Sequence, residues 1–207
     1  AKAVKVIESH SKKLLQEPEA TVAFELLFPK LLKEVENSGY TVNISKKVLV
    51  HYRNLQKQKL SKLPIEVATK YPTTLLHALE VIEDNFDFRP FEKFQFSSGS
   101  FGSSPATTAY MVGKGIDNGK RGAAYLDSLV KRGAVPTMTP LEIFEQAWCF
   151  FPFALFDLDK QFQKELQPSF AYLEKSWTPK GVGPSREFQI PDLDDTAMVF
   201  YLLGKNN

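Results

Sequence analysis

Apolar residues recur every three or four positions over most of the chain, and this spacing predicts helices. Val4, Ile7, Leu14 and Leu15 mark one face of a first helix. A second helix is predicted over TVAFELLFPKLLKEVE, where Pro29 is expected to introduce a kink. Further helices are predicted near residues 45–56, 73–84, 106–115, 120–131, 140–150 and 159–176. Clear alternation of apolar and polar residues is missing, so the pattern predicts an all-α fold.

Short glycine-bearing segments such as NSGY, GKGIDNGK and KGVGPS separate these helices. PATTAYMV, which begins at Pro105, resembles PDLDDTAMV, which begins at Pro191, with one residue inserted. Each copy follows a glycine-bearing loop. Repeated units of a loop and a helix are typical of stacked helical hairpins, as in solenoids and α/α-barrels. Two copies make a weak repeat, and chance similarity stays open as the alternative.

Composition narrows the class of protein. The chain has 207 residues, 43% of them hydrophobic, which suits one large or two small soluble domains. A net charge of +2 is too small to suggest nucleic acid or a membrane surface as a partner. No apolar run reaches the roughly 18 residues of a membrane span, and no secretory signal is visible. The single cysteine, Cys149, excludes an internal disulfide framework and fits a reducing compartment such as the cytoplasm.

The segment IPDLDDTAMVF carries three aspartates within four positions, Asp192, Asp194 and Asp195. One interpretation is helix capping, with Asp192 as the N-cap of a helix that runs to about Leu203 and stops at Gly204. Three neighbouring carboxylates also repel one another, so at least one should hold its proton more tightly. We expect that group to be Asp194, because the other two flank it. A carboxyl group that stays protonated near neutral pH can act as a general acid.

Two other acidic motifs compete for this segment. DLDDT matches the DxDxT signature of phosphatases that use the first aspartate as the nucleophile. Those enzymes place the motif after a buried parallel strand, and REFQIP is a poor strand of that kind. Only eleven residues follow Thr196, too few for the later motifs of such enzymes. A calcium loop is excluded because the EF-hand spacing, with its glycine and glutamate, is absent.

DLDDTAM resembles the DxDD motif of class II terpene cyclases, and is most similar to diterpene cyclases of the copalyl diphosphate synthase type. AFELLFPKLL resembles the family's FE-x-x-FP segment, and KYPTTLLHALE resembles its PTTLLHSLE stretch. FSSGSFGSSPATTAY is similar to the family stretch DGSF-x-x-SP-x-x-TAY. GAVPTMTPLEIFEQAW is similar to the segment GGVP…P-x-D-LFE-x-x-W, and SWTPKG is similar to YWT-x-x-G. The blocks follow the family's order from about residue 20 onwards, and together they are far more specific than DxDD alone.

The resemblance implies an all-α architecture of paired α/α-barrels, called β and γ, with the active site between them. We expect residues 1–18 to be a helical lead-in at the β/γ junction and residues 19–178 to be the γ domain. Residues 179–207 would begin the β-domain segment that carries DLDD. The chain would then be an incomplete fragment, without the remaining β domain and without a class I or prenyltransferase α domain. EDNFD, at 83–87, does not fit the DDxxD motif of a class I site.

The resemblance also implies a reaction, the cyclisation of geranylgeranyl diphosphate to a copalyl-type bicyclic diphosphate. Asp194 would protonate the terminal alkene, while Asp192 and Asp195 keep its proton in place. An alkene is a very weak base, so the acid must be placed in advance in a dry cavity. Most of the 17 phenylalanines are expected to pack the core, and some to line a cavity whose aromatic faces stabilise carbocations.

Further roles follow only from the matched motifs. His77 matches a position linked to the catalytic base, and its usual asparagine partner is replaced by Thr137, whose hydroxyl can still hold a water. Lys59 and Arg186 match residues that contact the substrate diphosphate, and Glu25 matches the FE of the first block. Magnesium is implied through the diphosphate and not through a protein site. A core histidine, a solvated lysine and a salt-bridge glutamate are the structural alternatives.

Two other functions stay open at this point. One is a class II cyclase that acts on another prenyl substrate, such as farnesyl diphosphate or a triterpene. The other is a helical scaffold domain without chemistry. We also expect the 207 residues alone to be inactive, because half a cavity cannot exclude water. A plastid replaces the cytoplasm as the expected location if the chain comes from a plant.

Overall fold

The computed structural model describes residues 2–11, 13–15, 23–82, 84–130, 134–158, 160–188 and 190–206. Within these ranges the chain forms nine α-helices: α1 (Lys2–His10), α2 (Phe24–Asn37), α3 (Lys46–Leu60), α4 (Ile65–Ala68), α5 (Pro105–Gly113), α6 (Arg121–Leu129), α7 (Glu142–Leu155), α8 (Gln163–Ser176) and α9 (Leu193–Asn206). Short 3-10 helices span Lys13–Leu15, Thr74–His77, Leu79–Val81, Arg89–Phe94 and Asn118–Lys120. The described residues contain no β-strand, and the all-α prediction is confirmed.

Two helix predictions are wrong in part. The predicted helix over 73–84 is replaced by two 3-10 turns, since Ala78 between them has φ −148° and cannot continue a helical ladder. Gly204 does not stop α9, which continues to Asn206. Lys205 holds this last turn, because its Nζ donates to the Ala154 carbonyl at the end of α7, at 2.9 Å. A glycine that is surrounded by such anchors weakens a helix without ending it.

The first compact unit comprises residues 1–68 and 78–87. Its centre is the pair α2 and α3, which bury Leu26 and Leu32 against Val48 and Tyr52. The Tyr52 ring meets Phe24 and Phe28 edge to face, with ring centroids 5.5 and 5.1 Å away. Pro29 lies inside α2 without ending it, and the expected kink stays a prediction.

The second compact unit comprises residues 69–77 and 88–207. Helices α7, α8 and α9 enclose one core cluster of this unit, whose buried members are Ile143, Ala147, Ala154, Leu166, Phe170, Leu173, Val182, Val199 and Leu202. The segment 179–207 therefore packs into this unit through α9. The expected domain boundaries, 1–18, 19–178 and 179–207, come from the family resemblance and not from the compactness of the fold. They stay a prediction.

A loop in the second unit, residues 95–104, is buried except at positions 96–98. The N–H of Phe101 donates to Thr108 Oγ1 at 2.9 Å, and the Ser104 hydroxyl caps α5 by accepting the Thr107 N–H. Gln95 Nε2 donates to the Gly99 carbonyl at 2.9 Å. These hydrogen bonds hold the loop in one conformation from Gln95 to the start of α5.

Candidate active site

The three aspartates lie at the N-terminus of α9. The Asp195 N–H donates to Asp192 Oδ1 at 2.8 Å, so the predicted N-cap role of Asp192 is confirmed. Asp194 lies in the first turn and is exposed, whereas Asp195 is only 2% exposed. One helix turn therefore presents one carboxyl group to solvent and turns its neighbour towards the protein.

Thr196 ties this helix start to the loop that precedes it. Its Oγ1 accepts the N–H of Val182 and donates to the Val182 carbonyl, both at 3.1 Å. The Asp192 N–H donates to the same carbonyl at 3.1 Å. Gly181 stands next to this contact with φ +100°, a conformation that favours glycine. The position of the aspartates thus depends on close contact between Gly181, Val182 and Thr196.

The pKa of Asp192, and not that of Asp194 as the sequence suggested, is the one raised towards neutrality. Burial, the hydrogen bond to Asp194 and the two neighbouring charges raise the pKa of Asp192 to about 7. Burial also raises the pKa of Asp195, against hydrogen bonds from Asp192 and from the Trp148 indole. The hydrogen bond from Asp192 lowers the pKa of the exposed Asp194. Below neutral pH a protonated Asp192 can therefore donate a hydrogen bond to a charged Asp194.

An Asp192→Asn variant is expected to lose part of the chain's pH-dependent stability. The folded state keeps a proton on Asp192, with its pKa of about 7, that the unfolded state releases near pH 4. This contribution is complete below the unfolded pKa and disappears as the pH rises through the folded pKa. Asparagine keeps the N-cap without titrating.

Urea unfolding at pH 5 and pH 8 measures this effect. The drop in the free energy of unfolding between the two pH values should be smaller in Asp192→Asn than in the original chain. Asp127→Asn, an exposed change on α6, is the matched control and should leave the drop unaltered. Equal drops in the original chain and in Asp192→Asn would contradict the assignment of the proton.

His77 ends the Thr74–His77 turn and is held from two sides. Its ring hydrogen-bonds to the backbone of Gly102, and the ring of Phe188 lies 4.2 Å away between centroids. Burial lowers the pKa of His77. Its Nδ1 is shielded from solvent and has no hydrogen-bond partner in the described part of the chain. A neutral imidazole with an unused acceptor nitrogen is suited to receive a proton.

Thr137 is exposed and belongs to the same unit as His77. It lies two residues before Thr139, whose N–H donates to the Ser103 carbonyl at 2.8 Å. Ser103 follows Gly102, the residue that bonds the His77 ring. The segments of the two predicted base residues therefore meet at Gly102 and Ser103. A direct role for Thr137 stays a prediction.

Lys59 and Glu25 form an ion pair in the first unit, with 2.9 Å between Lys59 Nζ and Glu25 Oε2. The salt-bridge alternative for Glu25 is thus present in the structure. Burial acts to raise the pKa of Glu25, but the hydrogen bond and charge of Lys59 outweigh it and leave that pKa lowered. Lys59 remains about half exposed, so its ammonium group is still accessible to a second anion.

Arg186 is exposed beside an open cleft of about 610 Å³ in the second unit. Its guanidinium carbon lies 5.5 Å from the centre of the Tyr172 ring, and its backbone N–H donates to Glu142 Oε1 at 2.9 Å. The Tyr172 hydroxyl donates to the same Glu142 oxygen at 2.8 Å. Glu142 and Tyr172 thus hold the Arg186 segment, a role that no sequence motif indicated for either residue.

Exposed aromatic side chains surround the start of α9. Trp148 is 43% exposed although its indole reaches Asp195, and it packs against Phe144 with ring centroids 5.7 Å apart. Trp177 and Phe200 form a second exposed pair at 6.2 Å. Core packing alone does not account for rings in these places. Spacing could not have identified them, because α7 also carries the partly buried rings of Phe150, Phe151 and Phe153.

No protein-family model matches the sequence. Among curated proteins, the chain is 32% identical over 182 residues to the bifunctional abietadiene synthase of Abies balsamea, which covers 87% of this chain and 21% of that protein. It is 33% identical over 185 residues to copalyl diphosphate synthase 1 of Selaginella moellendorffii, covering 88% of this chain and 25% of that protein. The chain therefore spans about a fifth to a quarter of the length of these curated relatives.

Two solved structures share the fold. One is the crystal structure of ent-copalyl diphosphate synthase from Arabidopsis thaliana in complex with (S)-15-aza-14,15-dihydrogeranylgeranyl thiolodiphosphate, with TM-score 0.88 and 32% identity over 98% of this chain and 30% of that chain. The other is abietadiene synthase from Abies grandis, with TM-score 0.87 and 30% identity over 98% of this chain and 27% of that chain. In sequence and in fold, this chain is similar to one segment of the diterpene cyclases of the copalyl diphosphate synthase type.

Proposed function

We propose that the protein carrying this chain is a class II diterpene cyclase that converts geranylgeranyl diphosphate into a copalyl-type bicyclic diphosphate. The observation that carries the proposal is the aspartate cluster at the start of α9, with one exposed carboxyl group between two whose pKa values are raised. The relatives support the substrate class, because the Arabidopsis enzyme was crystallised with an aza analogue of a geranylgeranyl diphosphate.

Asp194 is the group we propose as the acid. Its proton goes to the terminal alkene carbon, and the tertiary cation that results is attacked in turn by two further alkenes of the same chain. Loss of one proton from the final cation forms a new alkene, so the product is an isomer of the substrate and keeps its diphosphate. The acid is regenerated when the cluster takes up a proton again.

The charged state of Asp194 in this chain is consistent with that role. Water solvates the exposed carboxylate and favours its charged form. A bound prenyl chain would replace this water with hydrocarbon, which disfavours the charge. The proton that Asp192 donates towards Asp194 would then move along their hydrogen bond to the exposed group. Asp192 thus acts as the proton reservoir in this proposal, and Asp195 fixes the geometry through its contacts with Asp192 and Trp148.

His77 is the group we propose to take the last proton, with Thr137 as a polar neighbour. The lowered pKa and the unpartnered Nδ1 of His77 support this assignment. Exposed rings such as Trp148 would present their negative faces to the carbocation, which stabilises the charge without bonding to it.

Lys59 and Arg186 are proposed to bind the diphosphate. Arg186 can form bidentate hydrogen bonds with phosphate oxygens, and Lys59 supplies a point charge. The described residues contain no group of three or more side chains suited to a metal ion. Magnesium is part of the proposal only as an ion that accompanies the diphosphate.

Two alternative functions differ from this proposal in how they would use the acid. A different prenyl substrate would use the same acid, and a helical scaffold would use none of these groups. The described helices include none that is long and apolar enough to cross a membrane. The abietadiene synthases among the relatives are named as chloroplastic proteins, which favours the plastid over the cytoplasm for a plant chain.

The test is to incubate geranylgeranyl diphosphate with a protein that contains this chain within the full length seen in its relatives. After removal of the diphosphate, gas chromatography with mass spectrometry should identify a bicyclic diterpene alcohol. Farnesyl diphosphate and squalene serve as the alternative substrates, and the 207-residue chain alone should give no product. If no prenyl substrate is cyclised by the folded full-length protein, the scaffold alternative is correct.

A further inference from the structure

Phe188 packs directly on the ring of the candidate base. The ring centroids of His77 and Phe188 are 4.2 Å apart, and the two ring planes are tilted by 46°. Two rings this close are in van der Waals contact, so no water fits between them. Phe188 is only 3% exposed, and its ring also lies 5.9 Å from the Phe96 ring. Phe188 therefore covers one side of the imidazole and is itself enclosed by the second unit.

The segment that carries Phe188 is fixed by polar contacts within the second unit. The Phe188 N–H donates to the hydroxyl of Ser185, which is 0% exposed, at 3.0 Å. Beside Phe188, Glu187 Oε1 accepts the Ser98 N–H at 2.9 Å and the Ser97 hydroxyl proton. Burial acts to raise the pKa of Glu187, but these hydrogen bonds outweigh it and leave that pKa lowered. The position of the Phe188 ring thus depends on its own backbone and on its neighbour.

The hydrogen bond to Gly102 is the second contact of the His77 ring. Burial lowers the pKa of His77, and this bond opposes the effect without reversing it. A bond that favours the protonated imidazole is one that the ring donates, so the acceptor is the Gly102 carbonyl. Only glycine allows so close an approach, since a Cβ at this position would overlap the Leu76 carbonyl. The hydrogen bond fixes one nitrogen of the imidazole, and the contact with Phe188 fixes the plane of the ring.

Among the described residues, no charged side chain is a cause of the lowered pKa of His77. The loop of residues 95–104 has no charged side chain, and the segment around Phe188 contributes only Arg186 and Glu187. Neither of these charges produces the shift, since burial is its one lowering cause. The Phe188 ring supplies part of that burial because it covers one side of the imidazole.

We propose that Phe188 is a positioning residue for the His77 base, and that its ring fixes the plane of the imidazole and shields it from water. A buried imidazole that water cannot solvate stays neutral, and only a neutral imidazole can accept a proton. A fixed ring also accepts that proton from the same direction in every turnover. Phe188 acts through His77 alone and touches no substrate atom.

This inference rests on the proposed cyclase function and concerns its last step. In that step a carbon next to the final cation loses its proton to His77. The electron pair of the broken C–H bond forms the new alkene, and the imidazole becomes an imidazolium. The final cation has several neighbouring carbons, so the position of the base selects which proton is lost. Phe188 therefore contributes to the choice of product and not to the start of the reaction.

An NMR titration of the full-length protein tests the contact without any activity. Histidines are isotope-labelled, and the His77 signal is the one that disappears in His77→Gln. In Phe188→Leu the pKa of His77 should rise towards its ordinary value of about 6.5, because water reaches the ring. Phe188→Met keeps most of the side-chain volume and serves as the second variant if Phe188→Leu does not fold. It should shift the pKa of His77 in the same direction.

Phe170→Leu is the matched control for the titration. Phe170 is also 3% exposed and belongs to the same unit, but its ring packs beside Phe150. This variant should lose similar packing and leave the pKa of His77 unaltered. A pKa of His77 that stays the same in the folded Phe188 variants, or that shifts equally in Phe170→Leu, overturns the proposal.

The products of the full-length protein test the consequence. In Phe188→Leu the ratio of the original bicyclic product to all other cyclised products should fall by about tenfold, within the hundredfold that a small misplacement can cost. The other products are alkene isomers, from loss of a different proton, and an alcohol, from capture of water. Lower stability alone, as in Phe170→Leu, reduces every product and leaves the ratio unchanged. An unaltered ratio in Phe188→Leu overturns the proposal. An original protein that cyclises no prenyl substrate refutes the cyclase function instead, and the titration then decides about the contact alone.

Discussion

Asp194→Asn should reduce the formation of the bicyclic diphosphate by about a thousandfold or more, which is the upper range for loss of a general acid. Asparagine has almost the same shape as aspartate and keeps the first turn of α9 intact. It cannot deliver a proton to an alkene, and no other group of the cluster is exposed enough to replace it. Because the change affects only the transition state of protonation, kcat should fall while KM stays nearly constant.

The measurement is steady-state conversion of geranylgeranyl diphosphate by the full-length protein and by its variants. Asp192→Asn should also be slow, because the proton reservoir is lost, but less so than Asp194→Asn. Asp127→Asn, on α6, should retain full activity. Cyclisation at the original rate by Asp194→Asn would refute the assignment of the acid, and equal loss in all three variants would indicate general damage to the fold.

Gly181→Ala is expected to destabilise the second unit by roughly 3 kcal/mol or more, from backbone strain and steric overlap together. Gly181 has φ +100°, and a Cβ there would overlap Thr196 Oγ1 and lie 2.8 Å from its Cγ2. The side chain that must yield is the one that ties α9 to Val182. The change should therefore displace the aspartates as well as lower the free energy of unfolding.

Urea unfolding, with Gly115→Ala as the matched control, separates the cost of backbone strain from the cost of steric overlap. Gly115 also has a positive φ, +74°, but a Cβ there meets nothing within 4 Å. The control should lose only the strain contribution, about 1 kcal/mol. In a Thr196→Ala background the cost of Gly181→Ala should shrink, because the overlapping atoms are gone. Equal losses for Gly181→Ala and Gly115→Ala would show that the close contact is unimportant.

Local sequence patterns predicted the structure correctly where the features that they describe lie within a single helix. The helix predicted near residues 45–56 is present as α3, and Asp192 caps α9 as its spacing from Asp195 suggested. The helix predicted over 73–84 failed because the apolar spacing there continues through Ala78, whose backbone is extended in φ. The spacing of apolar residues shows which side chains can face a core. It does not show where the backbone dihedral angles leave the helical range.

The protonation of the aspartate cluster could not be predicted from the sequence, because it depends on how deeply each carboxyl group is buried. From the sequence alone, the three aspartates have no known difference in burial. The middle one, Asp194, was therefore expected to hold the proton because the other two flank it. The first turn of α9 makes their surroundings unequal, since Asp194 faces solvent and Asp195 is buried beside Trp148. Burial, rather than order along the chain, therefore decides which carboxyl group is charged. The partnership of Lys59 with Glu25 was open for the same reason.

The anchoring of α9 also bears on how such a site could change during evolution. The start of the helix is fixed from behind, by Thr196 on Val182 and by the buried Val199 and Leu202. Outward-facing residues of the same helix, such as Phe200, which is 68% exposed, take no part in that anchoring. Mutations can therefore accumulate on the outer face and alter what it contacts while the carboxyl groups keep their place. Under the proposed function, a change of product is compatible with retention of the same acid, because the two faces of α9 are under separate constraints.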